Sequence, residues 1–223
     1  MSPADASGAS QGGAATLDGT VGTFKLASVL LQYPTRAVFE GLDQLDEVAA
    51  RVSARDSRDA FARFLGWLRG TAPRDVAEHY VATFDLRRRC ALYLTYYRYG
   101  DTRKRGMAML GFKTAYRGAN FVPTDDELPD YLPLVLEFAA LSSRGVGLLR
   151  SCRADLELLR KALQHAETPY ADLIEAVCAE LGKLRRRDLK LVHQHWESGP
   201  PHEDVGLEPF APPEYLSGQE VRK

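Results

Sequence analysis

Apolar residues recur every three to four positions along most of the chain, which is the spacing of amphipathic α-helices. The pattern predicts helices over about 35–49, 90–99 and 147–166, among others. Residues 130–143 are apolar nearly all round, which indicates a helix at the buried centre of the protein. No alternation of apolar and polar residues is long enough to predict a strand. The sequence therefore predicts an all-α fold, a single-domain bundle of about nine helices.

The two ends of the chain lack this periodicity. Residues 1–18 are small and polar, so we expect a disordered leader before a helical domain over 19–198. The last stretch, 199–223, is rich in proline and is predicted to be extended. At 223 residues, the chain is long enough for one well-buried core.

Charge and cysteine usage narrow the possible functions. The formal net charge is −1, which argues against nucleic acid as the main partner. Three scattered cysteines suit a reducing compartment better than a disulfide framework. The first residues do not form a signal peptide, and no apolar run approaches the ~20 residues needed to span a bilayer. These features predict a cytoplasmic protein without stable membrane insertion.

The most informative stretch is 79–141, where four tyrosines fall within seven residues, 93–99. Any one of these tyrosines could pack in the core or line a groove, because tyrosine combines a large contact area with a polar tip. Glu137 is the only charged residue between Asp130 and Arg144. A buried carboxylate must be paired, so we expect Glu137 either to pair with Arg103 or Arg105 or to lie at the base of a ligand groove.

Three carboxylates, those of Asp125, Asp126 and Asp130, precede the central helix. They can cap that helix or form an acidic rim that attracts a basic peptide. A magnesium site for an enzyme acting on a diphosphate is the alternative, although the carboxylate spacing fits it poorly. The arginines of 87–89 could contact a phosphate or form a solvated basic turn.

No nucleotide-binding, nucleophile-elbow or zinc-binding motif occurs in the sequence. We therefore expect no cofactor, no metal and no catalytic residue, and the chain is not predicted to be an enzyme.

Four ordered motifs carry a resemblance to a known family: Tyr-Val-x-Thr-Phe-Asp (80–85), Leu-Tyr-Leu-Thr-Tyr-Tyr (92–97), Gly-Asp-Thr-Arg-x-Arg-Gly (100–106) and Glu-Leu-Pro-Asp-Tyr-Leu-Pro (127–133). They resemble the NarJ family of nitrate reductase delta-subunit chaperones, within the wider TorD-like group. The resemblance extends more loosely from Phe24 to about Glu214.

The resemblance implies a TorD-like architecture and a cytoplasmic chaperone. Members of the family bind the N-terminal segment of the nitrate reductase alpha subunit and support insertion of the molybdenum cofactor before membrane attachment. Proteins that deliver the molybdenum cofactor are further candidate partners. The residues expected to contact the peptide are Tyr93, Tyr96, Tyr97, Arg103, Asp126, Glu127, Asp130, Tyr131 and Glu137.

Overall fold

The computed structural model describes residues 19–123 and 127–199, and within these ranges the chain forms twelve α-helices. They are α1 (Gly19–Leu30), α2 (Arg36–Glu40), α3 (Leu42–Ala50), α4 (Arg55–Gly70), α5 (Pro73–Phe84), α6 (Tyr96–Tyr99), α7 (Arg103–Arg117), α8 (Leu132–Leu141), α9 (Ser143–Ser151), α10 (Arg153–His165), α11 (Tyr170–Leu181) and α12 (Arg186–Ser198). A short 3-10 turn, Arg88–Cys90, lies between α5 and α6. The all-α prediction is confirmed. The expected leader, and the expected tail beyond Gly199, lie outside the described residues.

Helix α8 is at the centre of the bundle, as its apolar composition predicts. Seven of its ten residues are buried, and it packs against α1 on one side and α9 on the other. Helix α11 packs in turn against α4 and α10, and α12 covers α10. Phe24, Phe64 and Phe138 are among the largest fully buried side chains. Burial of a side chain of this size contributes roughly 1.5–3 kcal/mol, so these aromatic residues anchor the packing.

Local sequence signals explain several helix ends. Pro73 occupies the first turn of α5, where the missing N–H has no intrahelical partner. The Ser142 side chain accepts a hydrogen bond from the Arg144 N–H at the start of α9. Gly182 ends α11 at φ +79°, a backbone conformation that favours glycine.

Helix α9 follows α8 after a single residue, and this tight connection depends on Gly145. A Cβ atom at Gly145 would lie 2.5 Å from the backbone N and Cα of Ala139. Since no side chain fits in that space, glycine permits the close approach of the two helices.

No described helix is both long and apolar enough to span a membrane.

Three predicted helices differ from the structure, and the predicted number of about nine is too low. The helix expected over 35–49 is divided at Gly41, which is the C-cap of α2 and the N-cap of α3. The helix expected over 147–166 is divided at Cys152, where the backbone leaves helical geometry between α9 and α10. The helix expected over 90–99 is reduced to the single turn α6, preceded by an extended segment.

Candidate functional site

Residues 91–94, just before α6, lie beside residues 130–132 at the start of α8. The Leu94 N–H donates to the Asp130 carbonyl oxygen at 3.0 Å, and the Leu132 N–H donates to the Leu92 carbonyl oxygen at 2.7 Å. Tyr93 and Tyr131 form an antiparallel bridge between these two bonds. Two motifs separated by about 35 residues in the sequence are thus joined through the backbone.

The Asp130 side chain is fully buried beside this bridge. Its Oδ2 atom accepts hydrogen bonds from the Thr95 N–H at 3.1 Å and from the Thr95 hydroxyl at 2.5 Å. The Arg105 guanidinium donates from Nε to Thr95 Oγ1 at 3.3 Å, and its Nη2 lies 3.5 Å from Asp130 Oδ2. The carboxylate therefore fixes the start of α6 and also supplies the counter-charge for Arg105 on α7.

Aromatic rings surround the Arg105 guanidinium. Its central carbon lies 5.6 Å from the Tyr93 ring centroid and 5.8 Å from that of Tyr96, within the range of cation–π attraction. The Tyr93 and Tyr131 ring centroids are 5.7 Å apart. Burial, reinforced by the charges of Glu127 and Asp130, raises the pKa of Tyr93, so the hydroxyl remains protonated. We call Tyr93, Thr95, Arg105, Asp130 and Tyr131 the aromatic–acid cluster.

The other residues predicted to contact a peptide have different positions. The Tyr96 side chain is largely buried beneath Arg105, whereas Glu127 and Arg103 are exposed. Tyr97 lies in the core with 4% of its surface exposed, and its hydroxyl is 2.8 Å from the Ala91 carbonyl oxygen. Asp126 lies outside the described residues.

The predicted pairing of Glu137 with Arg103 or Arg105 is wrong. The Glu137 carboxylate contacts Lys25 of α1 at 2.5 Å, and 39% of its side chain is exposed. Glu137 is thus at the edge of the contact between α1 and α8, where solvent accommodates its charge.

A cavity of about 250 Å³ opens next to the aromatic–acid cluster. It lies between α6, α7, α9 and α10, and Thr95 belongs to both the cavity wall and the cluster. Its lining residues are Thr95, Arg98, Tyr99, Ala108, Gly111, Phe112, Leu148, Ser151, Cys152 and Asp155. On the adjoining surface of α7, Met107 is 71% exposed and Leu110 is 53% exposed. Neither of these two side chains lines the cavity, but both lie on α7, which supplies Ala108, Gly111 and Phe112 to the cavity wall. We call the cavity together with the exposed side chains of Met107 and Leu110 the α7 groove.

A buried ion pair lies in the wall of the α7 groove. Arg98 Nη2 donates to Asp155 Oδ2 at 2.7 Å, and the Asp155 side chain is only 4% exposed. Burial raises the pKa of Asp155 to about 7, although the Arg98 guanidinium opposes this shift. Burial also raises the pKa of the neighbouring Cys152 thiol to about 12, so this thiol is not a nucleophile at neutral pH.

Sequence reasoning missed Thr95, Asp155, Met107 and Leu110 as site residues. The sequence alone does not distinguish Met107 and Leu110 from buried helix residues, and only the tertiary structure shows that they are exposed. Asp155 lies within the helical pattern of 147–166 and carried no distinguishing local signal. Within the described ranges, no group of three His, Cys, Asp or Glu side chains could hold a metal ion.

Comparisons with known proteins give the family. The family model described as "Nitrate reductase delta subunit" matches residues 49–176. NarJ of Bacillus subtilis is 32% identical over 168 residues, which cover 74% of this chain and 91% of that protein. NarJ of Escherichia coli, a nitrate reductase molybdenum cofactor assembly chaperone, is 33% identical over 154 residues, covering 67% of this chain and 65% of that protein.

Two further similarities concern a longer protein and a solved structure. The nitrate reductase-like protein NarX of Mycobacterium tuberculosis is 42% identical over 157 residues, which are 70% of this chain but only 24% of NarX. The crystal structure of a redox enzyme maturation protein from Archaeoglobus fulgidus has a TM-score of 0.56 at 19% identity, covering 73% of this chain and 94% of that one. The latter similarity supports the fold alone. The family match covers more than half of the chain, and the chain therefore belongs to the nitrate reductase delta subunit family.

Proposed function

We propose that this protein is an assembly chaperone for respiratory nitrate reductase that supports insertion of the molybdenum cofactor into the alpha subunit. Family membership and the chaperone name of the Escherichia coli relative support this role. We further propose that the protein acts by binding and has no catalytic step of its own. Its three cysteines are buried free thiols, which suits a reducing compartment, and we place the activity in the cytoplasm.

We propose the α7 groove as the binding site for the N-terminal segment of the alpha subunit. The main support for this proposal is that Met107 and Leu110 are exposed on a helix that also lines an open cavity. Apolar side chains on one helix, next to a hydrophobic recess, suit an amphipathic peptide helix that inserts its own apolar residues. Methionine is well suited to such a surface because its side chain adapts to partners of different shape.

The aromatic–acid cluster and the residues around it then have two roles. The buried residues Asp130 and Tyr96 hold α6 and α7 in position and offer almost no surface to a peptide. Tyr93, Tyr131, Arg103 and Glu127 have exposed or half-exposed side chains, and we propose them as the polar rim of the site. We leave two predicted residues out of the rim, because Tyr97 is buried in the core and the Glu137 carboxylate is paired with Lys25 at the contact between α1 and α8.

Titration calorimetry with a synthetic peptide of the alpha-subunit N-terminus tests this proposal. Wild-type protein should bind one peptide with a negative heat-capacity change, because apolar surface is buried. The double variant Met107→Glu/Leu110→Glu should weaken binding by roughly tenfold or more, since each buried apolar side chain contributes well over 1 kcal/mol.

The matched control is Leu86→Glu/Leu189→Glu, because these leucines are 75% and 52% exposed and neither of them lines the cavity or lies on α7. The control should bind like the wild type. Equal losses in the two variants would contradict the assignment to the α7 groove, and an absence of binding by wild-type protein would contradict the peptide proposal itself.

A further inference from the structure

We propose that a second cavity, which shares no lining residue with the α7 groove, binds a phosphate-bearing small molecule. The cavity has a volume of about 650 Å³ and lies between the 3-10 turn Arg88–Cys90 and helices α10 and α12. Its lining residues are Arg87, Arg88, Arg89, Cys90, Ala162, His165, Ala166 and Trp196. This inference is independent of the proposed chaperone function.

The cavity concentrates positive charge without a matching negative charge. Its lining contains three arginines and a histidine but no carboxylate. In the described part of the chain, the one ion pair of these arginines joins Arg88 to Asp101 at 3.9 Å, with both side chains more than half exposed. An exposed pair at that distance contributes little, so the guanidinium groups remain available to an anion. Charges of one sign in a concave surface also raise the local concentration of oppositely charged ligands.

Trp196 organises the cations at this site. Arg89 Nη1 donates to the Trp196 carbonyl oxygen at 3.2 Å, and the Arg89 guanidinium lies 5.7 Å from the indole centroid. The Lys161 ammonium lies 5.6 Å from the same ring, and the His165 ring approaches it edge-on at 6.5 Å. Cation–π contacts therefore hold cations from the 3-10 turn and α10 against α12 before any ligand arrives. Such preorganisation lowers the entropy cost of binding.

The chemistry of the cavity selects the ligand class. Arginine presents paired N–H donors that match two oxygens of one phosphate group. The alanines and the buried Cys90 provide an apolar wall that an organic group can contact. A volume of about 650 Å³ is within the usual range of small-molecule sites and exceeds the size of a bare phosphate ion. These features fit a phosphorylated small molecule, with the phosphate group as the recognised part.

Calorimetric titration of the full-length protein at constant ionic strength tests the proposal, with inorganic pyrophosphate, ADP and adenosine as probes. Pyrophosphate and ADP should each bind saturably at one site, whereas adenosine should not bind. The variant Arg87→Gln/Arg88→Gln should weaken pyrophosphate binding by about tenfold or more, because each lost guanidinium removes charged hydrogen bonds.

The matched control is Arg36→Gln/Arg74→Gln, which removes the same charge from two arginines that are 90% and 87% exposed and lie on other helices. Its pyrophosphate affinity should remain within about twofold of wild type, since neither arginine lines the cavity and salt screens the interactions of exposed charges. Tighter binding of ADP than of pyrophosphate would indicate an esterified phosphate as the ligand; equal binding would show that the free phosphate group is sufficient. No saturation at millimolar pyrophosphate, equal weakening in both variants, or adenosine binding as strong as that of ADP would overturn the proposal.

Discussion

The buried carboxylate of Asp130 should contribute more to stability than any other carboxylate in the region 127–137. Replacement of Asp130 by Asn keeps an acceptor oxygen for Thr95 but removes the negative charge. Hydrogen bonds to a charged group contribute about 1.5–3 kcal/mol each, against about 1 kcal/mol for neutral ones, so the two Thr95 bonds lose roughly 2 kcal/mol. The Arg105 guanidinium, 16% exposed, also loses its buried counter-charge. We therefore expect Asp130→Asn to lower the free energy of unfolding by about 3 kcal/mol.

Guanidinium chloride unfolding followed by circular dichroism measures this loss, and Glu137→Gln is the control. The Glu137–Lys25 pair is half exposed, so the control should lose about 1 kcal/mol or less. The double variant Asp130→Asn/Arg105→Met should recover part of the loss, because no uncompensated guanidinium remains. The reasoning would be refuted if Asp130→Asn cost no more than Glu137→Gln.

Three further predictions follow from other parts of the structure. Gly145→Ala should destabilise the protein by about 1–3 kcal/mol in the same unfolding assay, because its Cβ would meet the backbone of Ala139. The control Gly147→Ala has open space around the new Cβ and should stabilise the protein slightly. Equal effects of the two variants would contradict the described packing of α8 and α9. The folded state binds the Asp155 proton more tightly than the unfolded state does, because the pKa of Asp155 is raised to about 7. As pH rises from 4 to 7, the free energy of unfolding of wild type should therefore fall by up to about 4 kcal/mol relative to that of Asp155→Asn. A difference between the two unfolding free energies that does not change with pH would contradict the raised pKa. Deletion of residues 1–18 should leave the melting temperature and peptide affinity unchanged, while deletion of 199–223 should lower the melting temperature modestly; an unchanged melt in the second variant would show that the tail does not pack on the bundle.

The fold class and the central position of α8 could be predicted because both depend on local periodicity. A helix apolar on all sides must be surrounded by other helices, and 130–143 showed that pattern clearly. Pro73 likewise marks the start of α5, because proline is tolerated in the first turn of a helix. These features require no knowledge of which segments meet in space.

The tyrosine segment was mispredicted because its conformation depends on a distant partner. Leu92 and Leu94 are buried while Tyr93 between them is half-exposed, which is the alternation of an extended strand. Three residues are too few to distinguish this alternation from a helical pattern. The backbone bonds to Asp130 and Leu132 decide between the two, and they join segments that the sequence does not show to be adjacent.

The charged residues of the site show the same limit. The sequence identified Glu137 as unusual, yet its partner Lys25 lies 112 residues away on α1. Asp130, which was predicted to cap a helix or to lie on an acidic rim that contacts a peptide, is fully buried. Which carboxylate is buried depends on the packing of α1, α7 and α8, and a single sequence does not specify that packing.

We propose that this chain binds the N-terminal segment of the nitrate reductase alpha subunit through the α7 groove. Co-purification with the affinity-tagged chain, from cells that produce the alpha subunit, tests it most directly. We expect the alpha subunit to be recovered with wild type and with Leu86→Glu/Leu189→Glu. It should be lost with Met107→Glu/Leu110→Glu and when its own N-terminal segment is deleted. Recovery that depends on neither the groove residues nor that segment would contradict the account.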